Sequence, residues 1–161
     1  MTRAARAAAT AALLALAVGA RPAGQGRGGG SPQLDLSVSP LSVSFASADP
    51  DTTPVIAAVP VVVTVRVRQN QGGPWTLTVL AGGDLLAGSA TVDISNVSWT
   101  ATPAPPFQNG TLSKTVAQRL ASGTGNVLPA QNGSITFRLV NSWIYSAANY
   151  TQTVVFTLSA P

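Results

Sequence analysis

Along most of this chain, apolar and polar residues alternate with a period of two, the pattern of a half-buried β-strand. Leu34, Leu36 and Val38 alternate with Asp35, Ser37 and Ser39. Past Pro40 the apolar set becomes Leu41, Val43 and Phe45, so the inward parity flips at the proline. Proline cannot donate to a sheet ladder, and a flip there predicts a bend or bulge at which the first strand switches sheets. Val61, Val63, Val65 and Val67 share one face, with Val62, Thr64, Arg66 and Arg68 on the other. Trp75, Leu77 and Val79 alternate with Thr76 and Thr78. Val92 and Ile94 are followed by Val97 and Trp99 with the parity flipped again, which predicts a bulge near Ser95-Asn96. Ile135, Phe137 and Leu139 make another strand face, and Tyr150, Gln152, Val154, Phe156 and Leu158 make the last.

Turn-forming residues separate these runs. Residues 46–54, 69–74, 82–84, 102–110 and 123–133 read as loops from their Gly, Pro, Asp and Asn content. In residues 111–122 the four-residue spacing of Leu112, Val116 and Leu120 suits either a strand face or a helical stripe, and strand is preferred. The sum is about seven or eight strands with no long helix between them. That predicts an all-β fold, an immunoglobulin-like antiparallel β-sandwich, with a barrel as the alternative.

The N-terminus breaks the pattern. Arg3 and Arg6 precede an uncharged apolar run at residues 7–20, which ends in Val18-Gly19-Ala20. This is the grammar of a secretory signal peptide, expected over residues 1–20. The run is shorter than the roughly 20 residues of a membrane span, and no later stretch is long enough, so no transmembrane segment is expected after cleavage. Residues 21–32 are Gly-rich, lack bulky apolar side chains, and read as a flexible leader. The sandwich domain is then 33–161. The protein is expected outside the cell or in a bacterial cell envelope.

Charge narrows the partners. The chain of 161 residues carries 9 basic and 5 acidic groups; without Arg3 and Arg6, 9 − 2 = 7 basic groups remain, about +2 net. They are scattered, so no nucleic acid is expected as partner, because that binding needs many phosphate contacts. Charged residues make up 9% of a chain that is 45% hydrophobic, so the surface must be built from Ser, Thr, Asn, Gln and Gly. Export permits disulfides, yet there is no cysteine, and a domain of this size must rely on its own core.

Two places resemble a known family. Trp75-Thr76-Leu77 is a Trp-x-Leu motif in a strand, followed by Leu86-Ala87-Gly88-Ser89-Ala90, and the closing strand carries Phe156-Thr157-Leu158. Over residues 74–161 the chain resembles WxL-type bacterial surface domains, with Phe156 where the second motif has Trp. Its ending is also similar to spore-coat and fimbrial-type β-sandwich subunits. The resemblance implies a sandwich on the cell surface, attached non-covalently to the cell wall or joined with other surface proteins in an assembly.

The chain has no His, Cys or Glu. That removes Ser-His-Asp and Cys-His nucleophilic machinery and the usual zinc sites, so no enzyme and no cofactor is expected. Five aspartates remain, Asp35, Asp49, Asp51, Asp84 and Asp93, which read as turn and surface residues more readily than as a catalytic pair. Asp49 and Asp51, with Thr52 or Thr53, are the one candidate for calcium, against a plain polar turn. Trp75 and Trp99 sit among aliphatic neighbours and are expected in the core. Phe107, Trp143 and Tyr145 fall in loops and are the candidates for ligand binding, with capping of the sandwich end as the competing role. The leading expectation is an exported, non-catalytic surface or envelope structural protein, wall-associated or self-assembling. Pairing would come from the arm at residues 25–32 or from the closing strand. The alternative is a secreted carbohydrate- or protein-binding module that uses its loop aromatics.

Overall fold

In the computed structural model, which describes residues 11–22, 32–69 and 72–160, the period-two faces become two stacked sheets. Sheet A runs in the order β11 (Gln118–Thr124), β6 (Pro74–Ala81), β13 (Asn149–Ala160), β1 (Ala11–Pro22) and β3 (Ser42–Phe45). The short β7 (Leu85–Ala87) pairs with β13 and with β8 (Ala90–Val92). Sheet B runs β10 (Gly110–Thr111), β9 (Val97–Thr102), β12 (Val127–Val140), β5 (Val61–Arg68) and β2 (Gln33–Ser39), with β4 (Val55–Ala57) on β12. The protein is thus an all-β sandwich. Within residues 33–161, seven of these strands have six residues or more.

Alternation along each strand decides what lies between the sheets. Val61, Val63, Val65 and Val67 of β5 are fully buried, while Val62 and the two arginines face out. Facing them across the core are Trp75, Leu77 and Val79 of β6 and Val154, Phe156 and Leu158 of β13. β-branched residues suit this role because their restricted χ1 costs little in an extended backbone. At Pro40 the chain passes from β2 in sheet B to β3 in sheet A. The parity flip is therefore a sheet switch, which lets Val38 and Val43 both point inward.

Two local readings are corrected, and a third, the preference for strand over helix in residues 111–122, holds at the two ends of that stretch. The flip before Val97 is made by a one-turn 3-10 helix at Ile94–Asn96, not a bulge; Asp93 caps it, its carboxylate accepting from the Ser95 amide at 2.8 Å. Residues 111–122 are extended at both ends, in β10 and β11, and Val116 between them is exposed. Residues 123–133 are mostly strand rather than loop. The turn is confined to Gly125-Asn126, where Gly125 adopts φ 75°, and β12 begins at Val127. A register shift between Val127 and Gln131 accommodates Pro129, which has no amide to donate. The sequence turn at 69–74 includes Asn70 and Gln71, which lie outside the described residues, as do residues 1–10 and 23–31 of the expected signal and leader.

The largest departure from the sequence reading is β1. Its backbone runs parallel to β13 over all twelve residues, from Ala11 opposite Asn149 to Pro22 opposite Ala160. On its other side it pairs antiparallel with β3, Leu14 opposite Val43. Leu14 is 0% exposed and Leu16 7%. The segment with the grammar of an export signal thus also forms an inner strand of sheet A.

Candidate functional site

The sequence candidates were two acidic turn residues and three loop aromatics, and the fold separates them. Trp143 and Tyr145 lie in the connection between β12 and β13, beyond Val140. Phe107 lies in the connection between β9 and β10, next to Gly133. Gly133 and Val140 are seven residues apart on one strand, or about 23 Å at the usual rise. Phe107 therefore belongs to the opposite end of the sandwich from the other two.

Phe107 is also buried. Its backbone bridges to Ala121 of sheet A, the neighbouring Gln108 amide donates to the Leu120 carbonyl at 2.9 Å, and its ring lies over Gly133 of sheet B. A ring between two sheets has no free face on which a sugar could stack, so Phe107 serves the core. Tyr145 is half-buried, and that burial, with the charge of Asp93, pushes its phenol above the ordinary value. Trp143 is 46% exposed and Ile144 beside it 84%. The Trp143 indole Nε1–H donates to Asp51 Oδ1 at 2.8 Å.

That bond ties Trp143 to the proposed calcium turn. Asp49 Oδ1 accepts from the Asp51 amide at 2.8 Å, and the Asp49 carbonyl accepts from the amides of Thr52 and Thr53. This is an aspartate-capped turn, the local bonding that places Asp in loops. Among the described residues no group of three acidic side chains converges here or elsewhere. Asn141 holds the same turn from below: its Nδ2 donates to the Ala48 and Thr53 carbonyls at 3.1 and 3.0 Å, and its amide to the Pro54 carbonyl. Asp51, Asn141 and Trp143 thus bind two loops about 90 residues apart in sequence into one surface. Only the aromatic and the acid were visible in the sequence.

A second cluster was not anticipated as a unit. Lys114 Nζ lies 2.6 Å from Asp84 Oδ2 and 3.8 Å from Asp93 Oδ2. The Lys114 ammonium and the Ile94 amide hold the Asp84 carboxyl below its usual range, and the bonds from Ser95 lower that of Asp93. Asp84 in turn raises Lys114. A depressed carboxyl contributes stability above its unfolded pKa, about 3.9, which is lost as pH falls through the lower folded value. The raised lysine contributes below its unfolded value of about 10.4 and loses that contribution as pH rises through the folded one. All three groups are solvated, so the effect is modest. Asp84→Asn is expected to lower the neutral-pH urea midpoint slightly and to flatten its fall below about pH 4, so that variant and wild type converge in acid. An unaltered acid limb would mean that this pair contributes nothing to stability.

The residues of the Trp-x-Leu resemblance are all inside. Trp75 and Leu77 of β6 and Phe156 and Leu158 of β13 are buried, with Leu158 directly opposite Leu77. Trp75 lies across from Gly123 of β11, where a Cβ would meet the indole at 2.8 Å. These side chains pack the core of sheet A.

The remaining feature is the strand position occupied by β1. Its two neighbours are β13, paired along the whole strand, and β3, paired over Ala12–Ala15 and followed by the Leu41 carbonyl, which accepts from the Leu16 amide at 2.9 Å. Beyond Leu16 the far side of β1 has no partner strand among the described residues, and Val18 is 40% exposed. The sequence signal for a strand was present, since Leu14, Leu16 and Val18 alternate with Ala15, Ala17 and Gly19. It was hidden because a signal h-region is also a run of Ala and Leu. Against known proteins, the chain matches no family model and no curated protein.

Proposed function

We propose that this is an exported, non-catalytic structural protein of a bacterial cell surface or envelope, held at the wall or incorporated into a surface assembly. The observation that carries the reading is the charged, apolar and small-residue order of residues 3–20, which is the order an export machinery reads. The surface that export would deliver supports it. The outward positions of β13 are Thr151, Thr153, Val155, Thr157 and Ser159, and those of β6 include Thr76 and Thr78. Such a face is neutral and hydrogen-bonding, suited to lying against polysaccharide or another sheet. Fractionation of the native host with an antibody to residues 33–161 tests the proposal. The protein is expected in the wall or envelope fraction with its N-terminus near Arg21, and a cytosolic pool with Met1 intact would overturn it.

A second reading has one observation in its favour, the exposed Trp143-Ile144 pair on a surface braced by Asp51 and Asn141. In it, the protein is a secreted module that binds carbohydrate or protein through this end. It expects a monomer in the medium whose Trp emission shifts with added glycan, and loss of that shift in Trp143→Ala.

A further inference from the structure

The segment with the export grammar and the strand that completes sheet A are the same residues. If a signal peptidase cuts after Ala20, as the export reading above holds, ten of the twelve residues of β1 leave the domain. From that reading we infer that the exported protein carries a strand-acceptor groove between β13 and β3. Its occupant is an extended segment of a different exported protein, running parallel to β13 with aliphatic side chains at two alternate positions.

The groove follows from the register. Without β1, one edge of β13 loses its ladder from Asn149 to Leu158, and β3 loses its only sheet partner among the described residues. Open main-chain donors and acceptors beside an apolar floor are the condition for strand addition. The apolar sides of the groove are lined by the register partners of the lost strand: Val43 opposite Leu14, Phe45 opposite Ala12, and Val154 opposite Leu16, with all three of these partners buried. The resident strand also defines the chemistry the groove accepts. It fills the half between β13 and β3 with Leu14 and Leu16, whereas Val18, beyond the end of β3, stays at the surface. Two alternate aliphatic side chains therefore carry the fit, and the remainder need only supply backbone.

The direction and the leader's composition decide who supplies it. A parallel neighbour cannot reach β13 through a tight hairpin and must arrive by a crossover or from another chain. The stretch between the expected cleavage point and β2 is residues 21–32, Arg-Pro-Ala-Gly-Gln-Gly-Arg-Gly-Gly-Gly-Ser-Pro. It has no Leu, Ile, Val or aromatic residue to replace Leu14 and Leu16, so this arm cannot fill the groove in its own chain or in a second copy. The aliphatic alternations of β2 and β5 already pair with each other. The occupant is consequently another polypeptide.

The test starts from the full chain with a protease site substituted into residues 24–30, folded intact and then cut. It is offered a fluorescent peptide of residues 11–22, the same peptide with Leu14→Asp and Leu16→Asp, and one with Val18→Asp. The parent and Val18→Asp peptides are expected to exchange into the cut protein. The double-Asp peptide should bind about a hundredfold more weakly or worse, because it buries two unpaired charges. Equal uptake of all three, or of none, would overturn the groove. The chain secreted by its native host is analysed in parallel by mass. An N-terminus near residue 21 in a hetero-complex supports the assignment. A stable homo-oligomer of the cut form would overturn it by making a second copy the occupant. Retention of residues 11–22 would overturn the export reading, an outcome distinguishable from failure of the peptide selectivity.

Discussion

Trp99→Ala is expected to destabilise the protein by about 3–5 kcal/mol, a large part of the roughly 5–15 kcal/mol that holds a domain of this kind folded. Trp99 is the largest of the fully buried side chains and reaches from β9 into the space between the sheets. Its ring lies over Gly110, the residue directly opposite in β10, where a side chain would run into the indole. Its Nε1–H donates to the Gln108 carbonyl at 2.8 Å, which fixes the start of β10. Alanine removes the ring, leaves a cavity and strips the Gln108 carbonyl of its donor. Trp99→Phe keeps most of the apolar contact and loses the hydrogen bond, so it should fall between alanine and wild type. Trp143→Ala, at a half-exposed position, loses the bond to Asp51 and is expected to cost about 0.5–1.5 kcal/mol, clearly less than Trp99→Ala. Urea unfolding of the three variants of the full chain checks the order, and equal losses at positions 99 and 143 would contradict the burial assignment.

The contrast between these tryptophans shows what was legible in the sequence. Alternation placed Trp75 and Trp99 inward and gave the two-sheet architecture, because a sandwich needs only that each strand have one apolar face. It also located the sheet switch at Pro40, since a chain cannot keep its parity when it passes to the opposite sheet. It misjudged residues 123–133. Gly, Asn and Pro there look like turn chemistry, and Asn132-Gly133 in particular is a common hairpin pair. In the fold, Asn132 is on the solvent face of β12, its Oδ1 accepting from Thr64 Oγ1 at 2.8 Å, and Gly133 is an inward-facing strand residue. Gly is there because a ring from another loop occupies the space of a side chain. No local window contains that ring, which comes from position 107.

The candidate sites were less legible for the same reason. Asp51 and Trp143 were visible singly, yet their bond joins positions 92 apart, and Asn141, which braces both loops, has no motif around it. Lys114, Asp84 and Asp93 come from three separate stretches of chain, and the 3-10 turn at Ile94–Asn96, which follows Asp93, is tied to Asp84 through the Ile94 amide. The N-terminal run is the opposite case: its local signal is strong and satisfies two physical roles. An alternating Ala and Leu stretch is apolar enough for an export channel and extended enough for a sheet, so local sequence alone does not choose between them.

Phe107 and Gly133 provide the other large expected effect, and the pair can be tested as a unit. Phe107→Ala is expected to cost about 3–5 kcal/mol, because the buried ring lies over Gly133 of sheet B on a backbone bridged to Ala121 of sheet A. Gly133→Val should be destabilising by about 1–3 kcal/mol despite adding apolar surface and β-propensity, since its side chain must displace the ring. The two losses should not add. With Phe107 already cut to alanine, the space that valine needs is empty, and valine covers backbone the ring no longer covers. The double variant is then more stable than the sum of the singles predicts, by a coupling of about 0.5–3 kcal/mol. A double-mutant cycle by urea unfolding measures this directly. Had Gly133 been a turn glycine, its replacement would act through backbone strain and would be blind to residue 107, and the cycle would close with no coupling. A coupling of the expected sign therefore assigns Phe107 to the core, leaving Trp143 and its neighbours at the other end as the exposed aromatic surface.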